Sequence, residues 1–153
     1  MGEAVPRDAD SSIIWFGEGI IGVPRARRFQ LLEKPDSPFR VLRCLDIDGF
    51  ALPVIDPTLV DPGYRPELGS RLDETLGLSR EDPVLVLAVA TILPGGPVAN
   101  LRAPVIINTR GRVAAQVILD DRRYPLRAPV QLPNDGLEKV AEIESSNAAE
   151  RQV

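Results

Sequence analysis

The side chains that could do chemistry in this chain are carboxylates, one thiol and a few amides and phenols; its 153 residues contain no histidine. The commonest general base and the commonest metal ligand are therefore missing. The single thiol, Cys44, can form neither an internal disulfide nor a structural zinc site, and reads as a small core residue. Acid/base work would fall to carboxylates such as Asp46 with Asp48, or Asp120 with Asp121. Glycoside-type chemistry needs two such groups about 5 to 9 Å apart across a cleft, which adjacency in sequence does not create. The expectation is a protein that catalyses nothing and holds no metal or cofactor.

Charge points to contact rather than chemistry. With 22 acidic against 18 basic residues the net charge is −4, whereas non-specific nucleic-acid binding needs a clustered positive field. A basic protein is the better macromolecular partner. Acidic groups that could meet one are Asp61, Glu67, Asp73, Glu74, Glu81, Asp82, Asp120 and Asp121. Most surface carboxylates are simply solvated, so only a shared patch would carry meaning.

The elements that must position these groups are short. A chain of 153 residues suits one domain with one modest core. Its 15 prolines, from Pro6 to Pro133, leave little room for long helices. Ile13-Ile14-Trp15-Phe16, Phe39-Arg40-Val41-Leu42 and Phe50 to Ile55 are rich in β-branched and aromatic residues and read as strands. In the first, one of Trp15 and Phe16 points inward and the other outward.

The run Val84 to Leu93 is apolar on both faces and reads as a central strand covered on each side. Stopped by Pro94, it is far short of the ~20 residues that cross a bilayer. Glu3, Asp8 and Asp10 stand where a signal peptide would need basic and then apolar residues. A cytoplasmic location is expected.

Pro104 to Thr109 and Val113 to Leu119 form a hairpin signature with Arg110-Gly111 at its tip. Leu68, Leu72 and Leu76 recur every four residues within Pro66 to Leu78, the spacing of a helix of two to three turns. The fold class expected is all-β: a small antiparallel barrel-like sheet in one domain, with one or two short helices. Residues 1–11 read as a polar and mobile segment, 12–136 as the β domain, and 137–153 as a tail that is partly helical or disordered.

Asn100 and Asn108 bracket a strand, where an amide can satisfy a turn's own backbone. Ala103 suggests close packing and Pro104 the first residue of a strand. Gln116 could face either way. Tyr64, after Gly63 in a loop, is either an exposed anchor or a core ring.

The order of motifs along the chain resembles the FliW family of flagellar assembly factors. It runs from Phe16-Gly17-Glu18-Gly19-Ile20-Ile21-Gly22 and Phe29-Gln30-Leu31-Leu32, through Phe50, Asp56-Pro57 and Tyr64, to Asn100-Leu101-Arg102-Ala103-Pro104-Val105-Ile106-Ile107-Asn108. Gln116 to Leu119 and Tyr124-Pro125-Leu126-Arg127 follow. Specificity lies in several motifs in one order, across Gly2 to Arg127. Gly17 stands where the family has proline and Val23 where it has an aromatic residue, so a looser turn is expected. Leu42-Arg43-Cys44 replaces Leu-Gln-Ser. The family's extra first strand would precede Gly2, leaving an unpaired sheet edge.

The resemblance implies two partners, flagellin and the small RNA-binding regulator CsrA, whose repression of flagellin translation such proteins relieve. Binding them in alternation is mass action between two equilibria. The candidate partner-binding residues are Asp61, Tyr64, Glu67, Asp73 and Glu74, then Asn100, Leu101, Ala103, Pro104, Asn108 and Gln116. The alternative is a small β-barrel that binds oligonucleotide or carbohydrate, which would need a positive groove lined by Trp15, Tyr64 or Tyr124.

Overall fold

In the computed structural model the residues described are 12–69, 71–77 and 82–131. Eight strands form: β1 Ile13–Phe16, β2 Arg28–Glu33, β3 Phe39–Cys44, β4 Ala51–Ile55, β5 Val84–Leu93, β6 Gly96–Asn108, β7 Val113–Gln116 and β8 Ala128–Pro129. One short helix, α1, covers Arg71–Thr75. Strands consecutive in the chain pair antiparallel from β1 to β5, the long connection from Ile55 to Val84 carrying α1. The β5–β6 hairpin turns at Pro94-Gly95 and β6–β7 at Thr109 to Arg112. The sheet order β5-β4-β3-β2-β1-β7-β6 closes because β6 also pairs β5, while β8 adds to β6 through Val98↔Pro129 and Ala99↔Ala128.

A ring of seven strands cannot alternate direction all the way round, so at least one seam must be parallel. That seam is β1 against β7, through Trp15↔Val113 and Phe16↔Ala114. The sheet is therefore barrel-like as expected, but not wholly antiparallel. β1 has neighbours on both flanks, so the open edge expected beside it is not found among the described residues.

Alternation along the strands fills the ring. Phe16, Phe29, Leu42, Val54, Leu87, Val105 and Ile107 form its interior cluster, with the Phe16 and Phe29 rings 4.9 Å apart. Phe16 thus points inward and Trp15 is half-buried on the opposite side of β1. A second apolar layer covers the outside of β3 to β6, where Phe39, Ile55, Ala88 and Ala90 meet Tyr64, Leu119, Tyr124 and Val130. Leu72 of α1 and Leu76 just after it pack outside the ring on Ile106. The middle of β5 is covered on both faces, Leu87 by the interior cluster and Ala88 and Ala90 by the outer layer. Val84 and Thr91 are exposed, so the cover expected along the whole run holds only at its centre.

Several expectations need correction. The helix is limited to Arg71–Thr75 because Gly69 (φ 84°) and Gly77 (φ 62°) take left-handed backbone on either side. Leu68 lies ahead of it yet still packs beside Leu72. β7 ends at Gln116 rather than Leu119, although Val117 N–H donates to Pro104 O (3.0 Å) and Leu119 N–H to Arg102 O (2.8 Å). The Phe16 to Val23 turn is held by hydrogen bonds: Gly19 N–H donates to Phe16 O, Val23 N–H to Ile20 O, and the Arg27 guanidinium to Gly17 O. The expected N-terminal segment and the tail at 137–153 lie outside the described residues, as does Glu81. Among the described residues no helix is long and apolar enough to cross a membrane.

Candidate contact site at a bulge in strand β6

The register between β5 and β6 jumps from Leu87↔Val105 to Val89↔Asn100, so Leu101 to Pro104 stand opposite Ala88 alone. Those extra residues push β6 out of plane and leave backbone groups to be satisfied elsewhere. Asn100 closes the start, its Oδ1 accepting from Arg102 N–H (2.9 Å) and Ala103 N–H (3.1 Å). The Tyr64 hydroxyl donates to Leu101 O at 2.8 Å, and Leu101 N–H donates to Pro125 O at 3.0 Å. Arg102 Nε donates to Tyr124 O at 2.8 Å, and the Tyr124 hydroxyl accepts from Arg65 N–H at 3.1 Å. The two tyrosine rings meet edge to face at 4.7 Å. Burial, helped by the neighbouring Tyr124, pushes the Tyr64 phenol up to about 12, so it remains a donor at any ordinary pH.

Gln116 carries the bulge's hold across to the N-terminal turn. Its Nε2 donates to Ala103 O (3.1 Å) and its Oε1 accepts from Ile21 N–H (2.9 Å). At the far end of β6, buried Asn108 donates to Leu76 O (3.0 Å) and accepts from Arg110 N–H and Gly111 N–H at 3.1 Å each. One amide thereby fixes both the β6–β7 turn and the end of α1. The motifs that are scattered along the chain converge here: the Phe16 turn, Tyr64, Asn100 to Asn108, Gln116 and Tyr124-Pro125.

Most of the sequence-predicted contact residues turn out to hold this shape from inside. Tyr64, Leu101, Ala103, Pro104 and Asn108 are buried and Asn100 and Gln116 partly so. Tyr64 is accordingly the core ring of its two alternatives and not an exposed anchor. Asp61 accepts from Gly63 N–H at 3.0 Å within its own turn. Asp73 and Glu74 are exposed on α1, and Asp82 pairs with Arg110 at 3.2 Å. Glu67, Asp120 and Asp121 do come together, lining a hollow of roughly 600 Å³ with Arg65 and Arg123. The Arg123 guanidinium and backbone N–H hold the Asp121 carboxyl down to about 2.

Asp46 has a different task. Its Oδ2 accepts from Arg27 N–H (2.9 Å) and Arg28 N–H (2.7 Å), and its Oδ1 from Arg28 Nε (2.8 Å). Burial works to raise its pKa, and these hydrogen bonds with the Arg28 charge outweigh it, leaving the carboxyl below its ordinary value. It anchors the start of β2.

On the other side of Ile118 lies a groove of roughly 520 Å³ whose lining includes Ile21, Leu52, Val89, Asn100, Ala103 and Gln116. Neither it nor the acidic hollow is lined by Trp15, Tyr64 or Tyr124, so the aromatic platform of an oligonucleotide- or sugar-binding barrel is not assembled at either. Sequence reasoning missed Ile21, Ile118, Leu126 and Arg127 at this groove. The signal for Ile118 was present: Val117 and Leu119 turn inward, which leaves the isoleucine between them facing out.

Fold and site together define a small closed β-barrel whose signature residues hold a bulged shape rather than assemble reactive groups. The chain belongs to the FliW family, the FliW protein model matching residues 5–130, in agreement with the resemblance read from the motifs. A flagellar assembly factor FliW from Syntrophus aciditrophicus is 37% identical over 123 residues, covering 78% of this chain and 77% of the relative. Another, from Thermotoga neapolitana, is 39% identical over 122 residues, covering 77% and 82%. The crystal structure of a flagellar assembly factor FliW superposes with TM-score 0.75 at 28% identity, covering 80% of this chain and 88% of that one.

Proposed function

We propose that this protein is a flagellar assembly factor that binds CsrA and flagellin in alternation, relieving CsrA repression of flagellin translation while flagellin is being exported. The reading rests on membership of a family whose matched relatives are named flagellar assembly factors. The observation that carries it to a binding mode is the convergence of the motifs on one braced surface, with Asn100, Tyr64, Gln116 and Tyr124 all satisfying backbone around the bulge. A surface fixed in advance loses less freedom on binding. In the hollow Glu67, Asp120 and Asp121 stand against Arg65 and Arg123, and with Asp121 paired to Arg123 a small excess of negative charge is left, which a basic RNA-binding partner favours. No chemical step is needed, because excess flagellin occupies the factor and leaves CsrA free to repress, and exported flagellin releases it again. Co-purification tests this: tagged protein retains purified CsrA and, separately, purified flagellin at micromolar concentration. Retention of neither would end the reading.

A further inference from the structure

Six large apolar side chains are exposed among the described residues, and three of them, Ile21, Ile118 and Leu126, stand around the 520 Å³ groove. Single exposed apolar residues are ordinary, whereas three at the rim of one hollow mark a contact surface. The groove is the mouth of the barrel. Leu52 and Val89 in its lining also pack against the interior cluster. β4 meets β5 through Val54↔Val89 and Ile55↔Ala88, and beyond Val89 β5 continues to Leu93 paired with β6 alone. That hairpin arm overhangs the mouth and adds Thr91, Leu93 and Val98 as a wall.

Charge distinguishes the groove from its neighbour. Its lining contains no carboxylate, and its two charged residues are Arg102 and Arg127, in a chain of net charge −4. Arg102 Nε is engaged by Tyr124 O; Arg127 is exposed. A basic partner is repelled here and an acidic one attracted. Ile118 lines both the groove and the hollow that holds Glu67, Asp120 and Asp121, so it forms a ridge between two surfaces of different character.

We propose that this barrel mouth docks an amphipathic protein segment whose apolar side chains fill the groove and whose carboxylate meets Arg127 and Arg102. The inference rests on the partner-switching reading and deepens it: CsrA, with its basic surface, suits the acidic hollow, and the cation-rimmed groove belongs to flagellin. A segment seated over Ile118 covers the shared ridge, which gives the alternation a steric basis.

The test titrates purified flagellin and purified CsrA separately against the wild-type protein and the variants Leu126→Asp and Arg127→Glu. Both substituted side chains are exposed, and unchanged thermal midpoints verify the fold. Each variant weakens flagellin binding by at least about tenfold and leaves CsrA binding within about twofold. Wild-type binding of both partners with flagellin affinity unchanged in the variants, or with CsrA affinity lost instead, overturns the docking assignment alone. A wild-type protein that binds neither overturns the partner-switching reading and this inference with it.

Discussion

Tyr64 and Asp46 show how single polar atoms hold this fold. The Tyr64 hydroxyl is the partner of Leu101 O, a carbonyl that the bulge turns away from β5. Tyr64→Phe keeps the ring and orphans that carbonyl, at a cost of about 1 to 2 kcal/mol, measurable by urea denaturation; an unchanged midpoint would mean that water takes the place of the hydroxyl. Asp46 makes stability depend on pH with a definite sign. Its folded pKa lies below the unfolded value of about 3.9, so its contribution is present above that value and is lost as pH falls through the folded one. Asp46→Asn is expected to destabilise the protein at pH 7 by about 1 to 2 kcal/mol and to flatten the acid limb of its stability profile. Wild type and variant should converge in acid; parallel profiles would rule out this role. Sequence could pick out Asn100 and Asn108 as amides that satisfy nearby backbone, since that chemistry is local, but it set Asn100 at a strand start, whereas it lies inside β6 at the bulge. It left Tyr64 between two alternatives because the carbonyl it serves lies 37 residues away.

At the scale of elements, the Phe16 to Val23 turn positions Ile21 for Gln116, and it depends on two glycines of unequal demand. A Cβ on Gly19 (φ 74°) would lie 2.4 Å from Pro24 O, whereas one on Gly22 (φ 85°) meets nothing within 4 Å. Gly22→Ala therefore costs only the left-handed backbone penalty of about 1 to 2 kcal/mol. Gly19→Ala adds a backbone clash and should be clearly the worse of the two by thermal denaturation. Equal losses would show that the turn relaxes. Strand positions were legible because β-branched runs and proline breaks are local signals, and the two-faced cover at the centre of β5 followed from its unbroken apolar run. The helix was over-extended because Leu68, Leu72 and Leu76 keep helical spacing while Gly69 and Gly77 end the helix through backbone conformation. The β6 bulge was invisible for a related reason: Pro104 reads as the first residue of a strand, and only the pairing with β5 shows that β6 begins at Gly96 and bulges at Leu101 to Pro104.

For the whole molecule, composition and motif order were enough to anticipate a small closed sheet, and the parallel β1–β7 seam follows from the odd number of strands in the ring. The groove was not legible, since Leu52, Val89, Ile118 and Arg127 meet only when the barrel closes and its arm overhangs the mouth. The acidic hollow and the cation-rimmed groove share Ile118, and on the proposed reading that shared ridge makes the two partners compete. The most direct measurement is displacement: preform the complex of this protein with fluorescently labelled CsrA, add purified flagellin, and follow anisotropy. The account predicts release of CsrA, complete at saturating flagellin and reversed by excess CsrA. A stable ternary complex that retains labelled CsrA at saturating flagellin would contradict it.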